Sequence, residues 1–128
     1  MRDAENLLVR GDDQRLRWAF GHLLQNAIRY TEGGGHILIT ASTSDAENIS
    51  IQFVDTGVGI QEKDLPHIFE HFYRGEARTP RGKLVDPRGL GQGLFIARRV
   101  LETHGGYINV NSAPGQGSIF TVVLPRAA

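Results

Sequence analysis

Two hydrophobic periods alternate along this chain. Leu16, Ala19, Phe20, Leu23, Leu24, Ala27 and Ile28 recur at steps of three and four, which predicts an amphipathic helix. Asp12 or Asp13 supplies its N-cap, and it should stop near Thr31, ahead of Glu32-Gly33-Gly34-Gly35. A second helical run covers residues 93–104, closed by Gly105 and Gly106. Residues 36–41, 49–54, 107–111 and 118–124 instead alternate with a period of two and read as strands. Polar residues 42–48 join the first two strands in a hairpin-like connection, and Pro114-Gly115-Gln116-Gly117 joins the last two. Residues 6–10 read as a short edge strand. Short helical pieces are expected over 62–72, with Pro66 starting the second. Residues 74–88 are polar, hold two prolines and keep no periodicity, so they read as a long loop of the kind that forms functional lids. The sum is an α+β fold of two layers, helices covering one face of a mostly antiparallel sheet.

Composition narrows the function more than the fold. The 128 residues match the usual size of one domain spanning 1–128, with 40% hydrophobic and 22% charged residues. Formal net charge is zero, which argues against a surface built for nucleic acid or anionic membrane. There are no cysteines, so disulfides, thiolate metal sites and cysteine nucleophiles are excluded. No apolar run approaches the roughly 18 residues of a membrane span, and the N-terminus lacks a signal-peptide core. Twelve of the 16 glycines gather at 33–35, 57–59, 89–93, 105–106 and 115–117, which marks separate loops.

Three of those loops border residues with chemistry. Gly89, Gly91 and Gly93 stand before the apolar run that starts at Leu94. Glycines leave no Cβ between backbone and ligand, and a helix starting there points free N–H groups and a positive dipole end outward. Such a segment cradles phosphate, though alone it also fits a ligand-free loop. Asn26, a weak helix former in mid-helix, shares a face with His22, Arg29 and Tyr30. An amide oxygen suits Mg²⁺, arginine suits phosphate and tyrosine offers a ring for a base, but the four also fit a solvated face. Asp55 ends an apolar strand before Gly57 and Gly59. Its carboxylate can accept from an exocyclic amine, or simply hold its own turn.

Four segments, in order, resemble the nucleotide-binding boxes of the histidine kinase catalytic domain, whose wider family includes gyrase, Hsp90 and MutL. Residues 22–31 (HLLQNAIRYT) are similar to the N box and 55–60 (DTGVGI) to the G1 box. Residues 68–74 (IFEHFYR) resemble the F box, and 89–94 (GLGQGL) the G2 box. His104-Gly105-Gly106 and residues 115–121 (GQGSIFT) follow the same pattern, so the resemblance covers nearly the whole chain.

The resemblance implies a two-layer α/β sandwich of the Bergerat type with an ATP site under a lid spanning about 74–92. Asn26 would ligate Mg²⁺, and Asp55 would read the adenine amino group. Gly57, Gly59 and Ile60 would approach the ring, with Tyr30 and His22 lining the site. Arg29 stands where the family more often has lysine and would contact phosphate, with Arg74 and Arg88 bordering the lid. Gly89, Leu90, Gly91, Gly93 and Leu94 would form the hinge and cradle, and Phe69 and Thr121 complete the ATP-binding set. Gln92 stands where leucine is common. His22 occupies the position where ATP-hydrolysing relatives carry a water-activating glutamate, which favours phosphoryl transfer over hydrolysis. No segment resembles the phosphoacceptor helix. The implied function is therefore a protein histidine kinase domain that passes the γ-phosphoryl to a histidine on a separate dimerisation domain, with a response regulator downstream. A cytoplasmic location within a membrane-associated sensor kinase follows, with no nucleic-acid or membrane contact by this domain. The alternatives are an ATP hydrolase of the same fold and a non-catalytic nucleotide-binding regulatory module.

Overall fold

The structure, a computed structural model, describes residues 8–31, 35–70 and 90–127. Helix α1 spans Asp13–Tyr30, followed by strands β1 (Ile37–Thr43) and β2 (Asn48–Asp55), a 3₁₀ turn at Leu65–His67, helix α2 (Leu90–Thr103), and strands β3 (Tyr107–Ser112) and β4 (Ser118–Pro125). Asp12 caps α1, its carboxylate accepting from the Arg15 N–H at 3.0 Å. At the other end the Thr31 hydroxyl donates to the Ala27 carbonyl at 2.7 Å. Helix α2 ends in a Schellman pair: Gly106 N–H donates to Leu101 O and Gly105 N–H to Glu102 O.

The strands form one antiparallel sheet in the order β1-β2-β4-β3. Register explains its two faces. Ile49, Ile51, Phe53 and Asp55 of β2 pair with Leu124, Val122, Phe120 and Ser118 of β4, so all eight side chains lie on one face. Helix α1 covers this face over β2 and α2 covers it over β3. Leu16, Ala19, Leu23 and Ala27 of α1 and Leu94, Ala97 and Leu101 of α2 are buried between the layers. Fully burying each large aliphatic chain contributes about 1.5–3 kcal/mol, so this interface holds the two layers together.

His104 ties the helix ends. Its Nδ1 bonds the Val100 carbonyl at 2.7 Å, and its Nε2 accepts from the Asp12 N–H at 2.9 Å. A Cβ on Gly11 would fall on the His104 ring, so glycine is required at that approach. The start of α1 therefore sits beside the end of α2, and the helices run antiparallel.

Two sequence expectations change. Residues 8–10 form no strand; the Leu8 carbonyl accepts from the Ala127 N–H, and among the described residues the sheet edges are β1 and β3. Residues 6–7 lie outside the described residues. Helix α2 begins at Leu90 and not at Gly93, so Gly91, Gln92 and Gly93 are in its first turns. Leu90 does stand one helical step (i, i+4) before Leu94, but Gly89, Gly91 and Gly93 are poor helix formers that read as a loop.

Candidate functional site

The last residue of β2 organises the site. Asp55 is only 5% exposed, on the helix-covered face of the sheet. One carboxylate oxygen, Oδ1, accepts from the Gly57 N–H at 2.9 Å. Burial pushes its pKa above the ordinary carboxylate value, while bonds from the Gly57 and Ser118 backbones pull the other way. The turn after it is held rigidly. Thr56 N–H donates to His36 O, and the Thr56 hydroxyl accepts from the His36 N–H. Gly115 N–H donates to Val58 O at 2.8 Å, and Ile60 N–H donates to the Ser112 hydroxyl at 2.9 Å. That hydroxyl in turn donates to Gly117 O at 2.8 Å.

Gly59 and Gly117 have φ of 74° and 75°, a region that L side chains rarely enter. A Cβ on Gly59 would strike the Ala113 carbonyl, and one on Gly117 the Asp55 carbonyl. The glycines thus let the turn and the β3–β4 hairpin approach backbone to backbone.

Asn26 faces the same layer from α1. It is buried, and its Oδ1 has no hydrogen-bond partner among the described residues. A buried carbonyl oxygen left without a hydrogen bond costs about 1–3 kcal/mol, a cost that a water, an ion or a bound group would relieve. One turn earlier, His22 packs against Trp18 with ring centroids 4.0 Å apart and the planes tilted by 47°, and burial lowers its pKa. Burial thus favours the neutral imidazole.

One core cluster joins these segments. Leu23 precedes Asn26, Phe53 and Val58 flank Asp55, Ile68 lies in the next segment and Leu94 opens the buried face of α2; all five pack together with Phe120. Four short motifs far apart in sequence are therefore anchored on one set of apolar side chains. A match to the family model described as "Histidine kinase-, DNA gyrase B-, and HSP90-like ATPase" extends over residues 11–128. The chain belongs to that family.

Within it, the chain is homologous to sensor histidine kinases. It is 39% identical over 115 residues to the sensor protein SrrB of Staphylococcus aureus, an alignment covering 90% of this chain and 19% of the relative. The chain thus spans about a fifth of the length of the curated relatives it matches. The mycobacterial sensor histidine kinase MprB superposes with a TM-score of 0.79 at 28% identity, over 92% of this chain and 76% of that one. Full-length ShkA in complex with AMPPNP matches with a TM-score of 0.74 at 30% identity, over 94% of this chain and 23% of that one.

The family's expected site residues divide by placement. Asn26, Asp55, Gly57 and Gly59 are buried and Ile60 half-buried around the turn and α1. Arg29 and Tyr30 occupy the last turn of α1 and Leu90, Gly91 and Gly93 the first turns of α2; their side-chain surroundings, with Arg74, Arg88 and Gly89, lie outside the described residues. Most of the expected lid, 74–89, lies outside them too. Leu94 is 1% exposed and belongs to the core. Phe69 packs edge-on against Phe120, with the Arg98 guanidinium 5.5 Å above its ring.

Thr121 lies apart from these residues. It pairs with Gln52 and Asn109, on the sheet face turned away from the helices. The residue beside Asp55 is Ser118, buried, cross-strand from it and linked to the Ser112 hydroxyl at 2.8 Å. Counting β4 inward from Phe120 in steps of two finds Ser118; only the β2–β4 register shows that it meets Asp55.

Proposed function

We propose that this chain binds Mg²⁺–ATP between α1, the turn after Asp55 and the start of α2, and donates the γ-phosphoryl to a histidine on a separate dimerisation domain. The observation that carries the reading is the buried Oδ1 of Asn26, unpartnered among the described residues. A hard oxygen of that kind suits Mg²⁺, which characteristically takes one or two protein oxygens and completes its shell with phosphate and water. Among the described residues no three His, Asp or Glu side chains gather into a metal cluster, in keeping with an ion that arrives with its nucleotide. When bound, the ion would neutralise charge developing on the transferred phosphoryl.

The protein's own groups do the rest. Asp55 offers an acceptor to an exocyclic amine, which favours adenine over guanine. The glycine turn at 57–59 presents backbone at close range to a planar ring. Arg29 from α1, with Arg74 and Arg88, would contact phosphate oxygens, and the N-terminal turn of α2 would point free N–H groups at them. Phosphoryl transfer is largely positioning and charge stabilisation, which this set is suited to provide. AMPPNP in the ShkA complex and the kinship to sensor kinases support the same reading.

His22 bears on the competing activity of ATP hydrolysis. Half-buried against Trp18, where burial favours its neutral form, it suits the role of a base, so hydrolysis has a specific candidate residue. Two measurements test the proposal. Calorimetry with a non-hydrolysable ATP analogue should show binding strengthened by Mg²⁺. Labelled ATP should then phosphorylate the parent's histidine-bearing domain when the two are mixed. Steady phosphate release by this chain alone would favour the hydrolase, and binding without transfer a regulatory module.

A further inference from the structure

The solvent side of the helix layer carries a groove of about 470 Å³ between α1 and α2, which the nucleotide reading does not use. Its floor is apolar: Trp18 from α1, and Ile96 and Val100 one turn apart on α2. Trp18 is 39% exposed and Ile96 38%, large apolar surfaces on the outward face of a helix pair. Its rim carries Arg15 on one helix and Arg99 on the other.

The arginines around this groove are not alike. Arg17 bonds Asp13 at 3.0 Å, and Arg98 bonds Glu102 at 3.2 Å, each one helical turn away. Neither lines the groove. Arg15 has its carboxylate no closer than 3.9 Å, and Arg99 lies over the Phe95 ring at 5.8 Å without an acidic partner among the described residues. Of the two cations bordering the apolar floor, Arg15 thus has only a long ion pair to Asp12, and Arg99 has no acidic partner among the described residues.

We propose that this groove docks a partner's amphipathic helix carrying acidic residues on both sides of its apolar stripe. Ile96 to Thr103 extends about 10 Å along α2, enough to seat two turns of a third helix. Such a helix places apolar side chains at i, i+4 and i+7 into a groove, with its flanks over the rims. Because one arginine rises from each wall, both flanks must be acidic. A second copy of this chain is a poor occupant, since two grooves face to face would set arginine against arginine.

The chain has one tryptophan, and it is on the floor, so its emission reads the groove directly. The test uses the whole chain without nucleotide, so its outcome is independent of the ATP reading. The probe is a capped, alanine-based helical peptide with leucines at i, i+4 and i+7 and glutamates on both flanks; its twin carries lysines instead. The glutamate peptide should shift Trp18 emission to the blue saturably, and the lysine twin should bind about tenfold more weakly or worse. The doubly reversed variant, Arg15→Glu with Arg99→Glu, should exchange that preference. Equal binding of both peptides to the native protein overturns the proposal, as does no shift with either. Emission that changes with protein concentration alone overturns it in favour of self-association. Should the reversed variant fail to fold, the two peptides on the native protein still decide.

Discussion

Asp55→Asn separates the cost of a buried carboxylate from its use. The substitution preserves shape, and the amide oxygen still accepts the Gly57 N–H that now lies 2.9 Å from Oδ1. What changes is the second oxygen, which becomes an NH₂ group and meets the adenine amine donor to donor. Losing a hydrogen bond to a charged acceptor costs about 1.5–3 kcal/mol, and burying an unpaired donor adds about 1–3 kcal/mol. Affinity for an ATP analogue should therefore fall by about two to four orders of magnitude. Stability should behave in the opposite sense. Burial raises the Asp55 pKa above its unfolded value of 3.8, so the folded state holds the proton more tightly. Between those two values the native protein loses stability as pH rises, and above them it carries the full cost of the buried charge. The amide substitution would remove both the cost and that pH slope. Urea denaturation of both proteins from about pH 4 to about pH 7, paired with calorimetry at neutral pH, measures the two effects. An Asp55→Asn protein that binds the analogue with native affinity, or that loses several kcal/mol of stability, refutes the reasoning.

Three further outcomes follow from other residues. Asn26→Ala removes a buried acceptor that has no partner among the described residues, so apo stability should change by less than about 1 kcal/mol, while titrations should no longer show Mg²⁺ strengthening nucleotide binding. Gly59→Ala must accept φ of 74° and drive a methyl into the Ala113 carbonyl; a loss of at least about 2 kcal/mol in denaturation is expected, with weakened nucleotide binding. Burial lowers the His22 pKa below 6.5, so its contribution to stability is complete above pH 6.5 and is lost as pH falls through the folded value. Comparing His22→Gln with the native protein over that range should show the native slope disappear; parallel curves would count against a buried, neutral imidazole.

Local signals carried much of the architecture. Asp12, the apolar steps from Leu16 to Ala27 and Thr31 mark α1 because capping and helical periodicity act within a few residues. The four strands were legible for the same reason, their alternation being a local property of the pleat. The start of α2 was not, since the weak helix formers Gly91 and Gly93 mask the helical step from Leu90 to Leu94. Residues 8–10 misled in the opposite direction. Their apolar character serves packing, with Val9 against the core, and not a ladder.

The sequence by itself determined which residues have the chemistry: an amide in mid-helix, a carboxylate before a glycine turn, and the glycines that allow close backbone approach. Tertiary structure decided which of them act in one place. Register aligned Ser118 with Asp55 and turned Thr121 to the opposite face, a choice that one residue of slip would reverse. Packing buried Asn26 and left its oxygen unpaired among the described residues, and it set Arg15 and Arg99 across an apolar floor from one another. Burial, pairing and the lack of a partner depend on contacts between segments distant in the chain, and no local pattern encodes them.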